Sequence, residues 1–427
     1  MIWVQLQDIT KVLGLQGVDV SNLILATNEA GEAKEVEIWL EPQEAKQACP
    51  CCGSTSVVLN GSDGYRRIQH LKLAIMPCVL IVPRIRLECK VCQITYGHTY
   101  SFVDGKEQYT IAVKAHVYEV AVGSTVHHSA AVTGIPYSTS ERFFKEAALV
   151  IAQRTEEQAQ TNAQESDKLI MGVDDFSIRK GHNYNTGIHD LRGESLLGIA
   201  KGRTLKELDS YMDKNPKIKN LTPFAIVMDL AQSYHAFAKK YYPGAIIVAD
   251  RFHVNRYALE PINEIRKRAS KELPPHINRH LKRKHRLLMK RNDSLTPQQR
   301  IEVETLLSYS DDLKAAYCLK EQLADWYDLS PNHAVAQNAF RLWLEQGLAL
   351  DIPEIASALK TFINHREKIV NYHRCRFTNA VVEGRNGKIK SMQRRHYFLR
   401  NRTFYEALCI IECNRELAYD QFIQMFA

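Results

Sequence analysis

The runs LIMGVDDF (Leu169–Phe176), FAIVMD (Phe224–Asp229) and AIIVAD (Ala245–Asp250) are short, apolar and lead to aspartates. Runs of this length predict strands buried on both faces, in a parallel or mixed sheet covered by helices. Such a strand presents a carboxylate where it leaves the sheet, at the C-terminal edge where sites collect in α/β folds. We therefore expect the first strand to end at Asp174, and three carboxylates to meet at one edge of the sheet.

Clustered carboxylates indicate a particular chemistry. They repel one another and lose hydration, so they persist mainly where divalent cations neutralise them. The pattern predicts a metal-dependent nuclease or phosphoryl-transfer site. Three antiparallel strands, a helix and then strand–helix–strand is also the element order of an RNase H-like fold, which requires a final helix carrying the last acid.

The final helix is predicted in TNAVVEGRNGKIKSMQRR (378–395), after a long helical stretch. Thr378 or Asn379 can cap this helix, and Glu383 falls in its first turns. Between Arg266 and Arg291 the chain has eleven Lys or Arg and one acid, which suits phosphate contacts better than an ordinary solvated face. We therefore expect a helical, basic insertion before the last acid.

Two CxxC pairs precede these regions. Cys49 and Cys52 form the first pair and Cys89 and Cys92 the second, which is the spacing of the two knuckles of a zinc ribbon. Cys51 can replace a neighbour, whereas Cys78 lies in an apolar run and is expected in the core. Buried free thiols are the alternative, but they leave the paired spacing unexplained. We predict one structural Zn²⁺ bound by the four paired cysteines.

Three predicted helices follow the ribbon. A turn at Gly134 and a capping box at Ser138 and Glu141 precede the last helix, as in a helix-turn-helix. Arg142 and Lys145 on that helix would then face the major groove. A plain three-helix packing unit would give the same pattern, but the basic surroundings favour DNA binding. The polar stretch 154–167 is predicted to be a linker or an exposed helix.

The composition agrees with a polyanionic partner. The 427-residue chain has a net charge of +8 and can hold several domains. We expect no signal peptide and no membrane span, and the clustered cysteines suit a reducing cytoplasm. The predicted division of the chain is an N-terminal β unit with the zinc ribbon (1–105), a helix-turn-helix (106–153), the first part of an RNase H-like core (168–255), a helical basic insertion (256–375), and the final core helix with a basic C-terminal segment (376–427).

With these motifs in place, the chain resembles bacterial insertion-sequence transposases of the ISL-three family, in the DDE group. The resemblance rests on the CPxCG ribbon, GVDDFSIRKGHNY, VMDLAQSYHAF, IIVADRFHVNR and NAVVEGRNGKIKSMQRRHYFLRNR. It implies that Asp174, Asp229 and Glu383 are the catalytic acids, with Asp250 and His253 in a supporting role. The residues alone leave two choices open, Asp174 against Asp175 and Asp229 against Asp250.

The resemblance also implies partners and cofactors. Two Mg²⁺ (or Mn²⁺) ions per active site would support cleavage at the transposon ends and joining of the 3′-hydroxyl to target DNA. Double-stranded DNA is the expected partner, bound by a homodimer or higher homo-oligomer in the bacterial cytoplasm, at the nucleoid. The candidate DNA-contacting residues are Arg142, Lys145, Arg385, Lys388, Lys390, Arg394 and Arg395.

Two rival functions are compatible with parts of this sequence. A domesticated, non-catalytic regulator would keep the ribbon and the helix-turn-helix, but it would not need all three acids. A cellular nuclease of the same fold, such as a junction resolvase, would not need the ribbon or the large insertion. The complete set of motifs therefore favours a transposase.

Overall fold

The computed structural model describes residues 6–179, 183–397 and 399–426. The chain separates into two compact units. The N-terminal unit comprises Met1–Ile151, Arg395–Leu399 and Tyr419–Ala427, and the larger unit comprises Ala152–Arg394 and Arg400–Ala418. Each unit has its own sheet and its own hydrophobic core.

The N-terminal unit is built on a twisted sheet with strand order β1-β2-β4-β3, to which β5 is added beside β4. β1 and β2 form an antiparallel hairpin, and the inward side chains of β2 and β4 pack together in the core. The elements are α1 Leu6–Val12, β1 Val18–Thr27, β2 Ala33–Pro42, β3 Val57–Leu73, β4 Met76–Cys89, β5 Thr95–Gly97, α2 Ile111–Gly123 and α3 Val126–Thr133.

The helices of this unit begin and end at recognisable signals. Thr110 caps α2 and Thr125 caps α3, each accepting a backbone hydrogen bond through its hydroxyl oxygen. Gly134 ends α3 in the left-handed conformation, with φ of 76°, which costs glycine little. The next helix, α4 (Tyr137–Glu165), has 29 residues.

One expectation for α4 needs correction, and one open choice is decided. The helix begins at Tyr137, directly after Pro136, so Ser138 lies inside its first turn and is not the N-cap. Proline fits the start of a helix because its missing N–H has no partner there in any case. The segment 154–167 is not a linker, because α4 continues through it as far as Glu165; of the two alternatives, the helix is the one that forms.

The larger unit contains the predicted α/β core. Its sheet has the order β10-β9-β6-β7-β8, with β6, β9 and β10 parallel and β7 antiparallel to both of its neighbours. This is the topology of an RNase H-like fold. The elements are β6 Ile170–Arg179, β7 Asn183–Asp190, β8 Ser195–Lys201, α5 Leu205–Lys214, α6 Pro216–Lys219, β9 Ala225–Met228, α7 Gln232–Tyr241 and β10 Ile246–Ala249.

Both faces of this sheet are covered. On one face, Leu208 and Met212 of α5 and Tyr234 and Phe237 of α7 are buried in one cluster with strand residues such as Val173. Strands buried in this way read as continuous apolar runs in the sequence, which is why they were recognisable. On the other face, Ile170, Val227 and Val248 are buried in one cluster with residues of the insertion helices and with Val382 of α16, described below.

The insertion is helical throughout, as the sequence predicts. Its core is aromatic, with Phe340 lying between Trp326 and Trp343 at ring-centroid distances of 4.8 and 5.4 Å. The helices are α8 Arg251–Glu272, α9 Pro275–Lys284, two short 3-10 helices (His285–Met289 and Asn292–Ser294), α10 Pro297–Leu307, α11 Asp311–Leu329, α12 His333–Ala349, α13 Pro353–Asn364, α14 Arg366–Val370 and α15 Tyr372–Cys375.

Three helices complete the chain: α16 Ala380–Arg395, α17 Arg402–Cys413 and α18 Arg415–Phe426. Two hydrogen bonds tie the end of the insertion to the end of β10. The backbone N–H of Asn379 donates to Asp250 Oδ1 over 2.9 Å, and Asn371 Nδ2 donates to the carbonyl of Ile247 over 3.0 Å. Within the described ranges, no helix is both long and apolar enough to span a bilayer.

Candidate active site and DNA-binding surfaces

Three aspartates occupy equivalent positions at the C-terminal edge of the parallel strands. Met228 of β9 pairs with Val173 of β6 on one side and with Ala249 of β10 on the other. The next residue in each strand direction is therefore Asp174, Asp229 or Asp250. Neighbouring strands lie about 4.8 Å apart, so the register brings the three residues side by side, with Asp229 in the middle.

The first strand does not end at Asp174, contrary to expectation. β6 runs to Arg179, because β7 continues to pair with it beyond the end of β9. Pairing with β9 stops at Val173, so Asp174 still lies at the edge of the parallel part of the sheet. The position of the acid was predicted, but the length of its strand was not.

Asp174 is buried, with 8% of its surface exposed, and points towards α16. Asn386 Nδ2 on that helix donates a hydrogen bond to Asp174 Oδ2 over 3.0 Å. Burial, together with the charges of Asp175, Asp229 and Asp250, raises the pKa of Asp174 to about 7, although a backbone hydrogen bond opposes the shift. A cation at this edge would favour the ionised form.

Asp175 faces the opposite side of the sheet. It pairs with Thr186 in the register of β6 and β7, and its carboxylate accepts from Arg203 Nη1 over 3.4 Å. The hydroxyl of Thr186 is hydrogen-bonded to the carbonyl of Gly202 and lies 3.1 Å from the Tyr234 hydroxyl, on the α5–α7 side. Because strand side chains alternate, only Asp174 of the two shares the α16 side with Asn386.

Asp229 and Asp250 differ in their surroundings. Asp229 is half-buried, and its Oδ1 accepts the backbone N–H of Ala231 over 2.7 Å. Asp250 is 1% exposed; one carboxylate oxygen accepts from Asn379, and the other is buried with no partner among the described residues. Asp229 is thus accessible to a metal ion from solvent. Asp250 is instead buried and hydrogen-bonded to Asn379, where the insertion ends. His253 is half-buried one turn along α8.

Glu383 lies in the first turn of α16 and is exposed. It is four residues after Asn379 and three before Asn386, so the three share one side of the helix. Asn379 and Asn386 hydrogen-bond Asp250 and Asp174, which holds this stretch of α16 beside the strand acids. We did not anticipate the contacts of the two asparagines, although their helical spacing around Glu383 was a usable signal.

The donor set at this edge fits a hard divalent cation. It consists of the carboxylate oxygens of Asp174, Asp229 and Glu383, and the pKa of Asp174 is raised. In the described part of the chain, the acids do not form a group of three within 4.8 Å, as a single tight site would. A site for two ions requires a wider arrangement, which suits acids spread over two strands and a helix.

The four paired cysteines form the tight cluster that the acids do not. Their sulfur atoms all lie within 4.8 Å of one another, with 3.5 Å between Cys49 and Cys92 and 3.6 Å between Cys52 and Cys89. Backbone N–H groups of Cys52 and Cys92 lower the pKa of Cys49 and Cys89, respectively. This favours the thiolate, the form that binds Zn²⁺, at Cys49 and Cys89. At Cys52 and Cys92 a backbone hydrogen bond acts in the same direction, but the neighbouring sulfur atoms raise the pKa of the thiol.

The remaining two cysteines of this region lie outside the cluster, and Cys78 is in the core as expected. Cys51 is exposed and lies outside the four-sulfur cluster. Cys78 is fully buried in the core of the N-terminal unit, where burial raises the pKa of its thiol to about 11. Neither position suits a ligand to an ion held by the other four cysteines.

Comparison with known proteins agrees with both sites. A family model described as transposase matches residues 171–409, more than half of the chain. The chain belongs to the ISL-three family of insertion-sequence transposases. A second family model, described as the zinc-finger of transposase IS204/IS1001/IS1096/IS1165, matches residues 45–92 and confirms the ribbon.

Two relatives are similar to this transposase over most of their length. The transposase for insertion sequence element IS1001 from Bordetella parapertussis is 26% identical over 383 residues, covering 87% of this chain and 90% of the relative. The transposase for insertion sequence element IS1557 from Mycobacterium tuberculosis is 22% identical over 419 residues, covering 89% and 90%. The family resemblance inferred from the motifs is confirmed.

The two predicted DNA-contacting residues of α4 are exposed but already paired with acids. Arg142 makes two hydrogen bonds to the Glu107 carboxylate, over 2.8 and 3.1 Å. Lys145 Nζ lies 2.9 Å from the carboxylate of Glu141, one turn before it on the helix. Contact of either side chain of the transposase with a phosphate would require exchange of these partners.

The predicted basic strip of α16 is only partly a surface. Lys388, Lys390 and Arg394 are exposed, and Arg395 is half-buried. Arg385 is 4% exposed, and its guanidinium lies 3.5 Å from His189 Nδ1 inside the larger unit. Its predicted contact with DNA does not fit this position, because α16 turns Arg385 towards the sheet.

Proposed function

We propose that this transposase cleaves DNA at the ends of its insertion sequence and joins the freed 3′-hydroxyl to target DNA by two-metal phosphoryl transfer. One observation carries the proposal. The strand register places Asp174 and Asp229 side by side, and α16 is hydrogen-bonded to the same edge with Glu383 on its contacting side.

In this proposal Asp174, Asp229 and Glu383 hold two Mg²⁺ or Mn²⁺ ions. When bound, such ions lower the pKa of an attacking water or hydroxyl and stabilise the leaving oxygen. Asn386 orients the carboxylate of Asp174, and Asp250 keeps the start of α16 at the edge of the sheet. His253 supports Asp250 at the start of α8.

The DNA-binding part of the proposal uses both basic surfaces. Arg142 and Lys145 on α4 would contact the ends of the element, and Lys388, Lys390 and Arg394 on α16 would contact phosphates near the acids, with Arg395 at its end. One structural Zn²⁺ held by the four clustered cysteines would fix the ribbon. A homodimer would allow both ends of the element to be held together.

The test is to separate DNA binding from cleavage. We expect Asp174→Asn and Glu383→Gln to bind duplexes carrying the element's ends as tightly as the wild type while strand cleavage in Mg²⁺ disappears, because each change removes a ligand oxygen and little else. Asp175→Asn is the matched control, since it makes the same change one residue away on the opposite face. It should still cleave.

Normal cleavage by Asp174→Asn together with loss of cleavage by Asp175→Asn would exchange the two roles. Wild-type cleavage by both Asp174→Asn and Glu383→Gln would remove the basis of the proposed site. Retained binding with no cleavage by the wild-type protein in Mg²⁺ or Mn²⁺ would favour a regulator.

A further inference from the structure

A hollow lies between the C-terminal end of α8 and the start of α9, in the insertion. Its volume is about 810 Å³, and six basic side chains line it: Arg266, Lys267, Lys271, Arg279, Lys282 and Arg283. No acidic side chain belongs to the lining. The proposed cleavage mechanism does not use this surface.

Most of these cations are unpaired, unlike several other cations in the insertion. Lys267 is the exception, since its Nζ lies 2.6 Å from the Glu264 carboxylate. The other five have no ion pair with any residue that the structure describes. Elsewhere in the insertion, Arg251 pairs with Asp328, Arg268 with Asp312 and Glu354, and Arg341 with Glu345. Cations are thus neutralised within the fold in several places but remain unneutralised around the hollow.

Two donors in the lining are buried and lack a partner among the described residues. They are Arg266 Nε and the Ser270 hydroxyl, one turn apart on α8. Asn278 Nδ2 donates to the carbonyl of Ser270 over 2.8 Å and so links α9 to α8 beside these donors. A buried donor without an acceptor is unfavourable, so these two favour an incoming acceptor oxygen.

We propose that this hollow binds the backbone phosphates of double-stranded DNA. The partner class follows from the proposed function, whereas the site follows from the unpaired cations and unsatisfied donors. The lining contains no aromatic side chain on which an unpaired base could stack. Its donors are charges and short hydrogen-bonding groups, which suit phosphate oxygens and carry no sequence information.

The experiment measures the salt dependence of DNA binding by the full-length protein in EDTA. Lys271, Arg279 and Lys282 are exposed, and we expect the variant Lys271→Gln/Arg279→Gln/Lys282→Gln to bind a short labelled duplex of unrelated sequence at least tenfold more weakly. The slope of log affinity against log salt should fall by about 2–3, because each lost phosphate contact removes about 0.9. Lys271→Gln alone should lower the slope by about 0.9, the value for one phosphate contact.

The matched control is Lys314→Gln/Lys360→Gln/Arg366→Gln. These residues are exposed, lie on α11, α13 and α14, and have no ion pair within the described ranges. The control makes the same change in net charge outside the hollow. It should therefore leave the slope within about 0.5 of the wild-type value. Equal salt slopes for the wild type and the triple variant would overturn the proposal, and so would an equal drop of the slope in the control. The proposal would also fail if the triple variant lost affinity only for duplex RNA and not for duplex DNA.

Failure of the proposed function would look different. The binding measurement contains no divalent metal and requires no cleavage, so the hollow is tested whatever Asp174 and Glu383 do. Wild-type cleavage by Asp174→Asn, with a reduced salt slope in the triple variant, would remove the active-site assignment and leave the phosphate site in place.

Discussion

Asn386 is the side chain that most directly controls the geometry of Asp174. Its amide donates to one carboxylate oxygen over 3.0 Å, and its own Oδ1 is buried with no partner among the described residues. We expect Asn386→Leu to lower the cleavage rate about 10–100-fold, the usual effect of losing a group that orients a metal ligand. Affinity for DNA in EDTA should not change.

Two measurements distinguish orientation from general damage to the fold. Asn386→Gln keeps the amide and should recover part of the activity, and Mn²⁺ affinity measured by calorimetry should fall in Asn386→Leu. Unchanged Mn²⁺ affinity with reduced cleavage would mean that Asn386 does not act through Asp174.

A second residue-scale prediction separates Asp229 from Asp250. Mn²⁺ accepts softer ligands than Mg²⁺, so a cysteine at a true ligand position should show little activity in Mg²⁺ and partial recovery in Mn²⁺. We expect this behaviour from Asp229→Cys. Asp250→Cys should lose activity in both metals, because it breaks a buried hydrogen bond to Asn379 and does not remove a ligand. Rescue of Asp250→Cys, with normal Mg²⁺ cleavage by Asp229→Cys, would exchange the roles.

Arg385 shows where residue-scale prediction from sequence was incomplete. Counting charges from Arg385 onwards identified a basic helix, but not which cations face outwards. The buried positions of α16 are Val382, Arg385, Asn386, Ile389, Met392 and Gln393. Their spacing follows the apolar residues of the helix, so helical phase from Val382 and Ile389 would have placed Arg385 on the inner side.

At the scale of elements, the ribbon gives the sharpest prediction. The full-length protein should contain about one zinc per chain, and Cys89→Ser should abolish it. Cys51→Ser is the matched control, because Cys51 sits in the same first knuckle as two ligands but lies outside the four-sulfur cluster. The measurement is the zinc content of the purified variants. Loss of zinc in Cys51→Ser, with zinc retained in Cys52→Ser, would mean that Cys51 is the ligand and Cys52 is not.

Element order was predictable, and some boundaries were not. The sheet order follows from short apolar runs and the helices between them, which the sequence displays directly. The end of β6 depends on its pairing with β7. The local sequence of β6 does not show how far this pairing extends. The start of α4 depends on Pro136, whereas the capping-box motif at Ser138 and Glu141 indicated a later start.

At the scale of the whole molecule, the insertion divides the acids of the candidate active site in the sequence. Asp174, Asp229 and Asp250 precede it, and Glu383 follows it. The contacts that bring them together join distant positions: Asp250 and Asn379 are 129 residues apart, and Asp174 and Asn386 are 212 apart. Closure of such long loops costs more chain entropy than local contacts do, although the cost rises only slowly with length.

The direction of protein synthesis gives this arrangement a consequence in time. The three aspartates leave the ribosome before the insertion, and the helix that carries Glu383 leaves after it. We therefore expect the insertion to fold as a unit during translation before α16 is available to pack against the three aspartates. Under the proposed function, DNA cleavage therefore cannot begin until α16 has been translated.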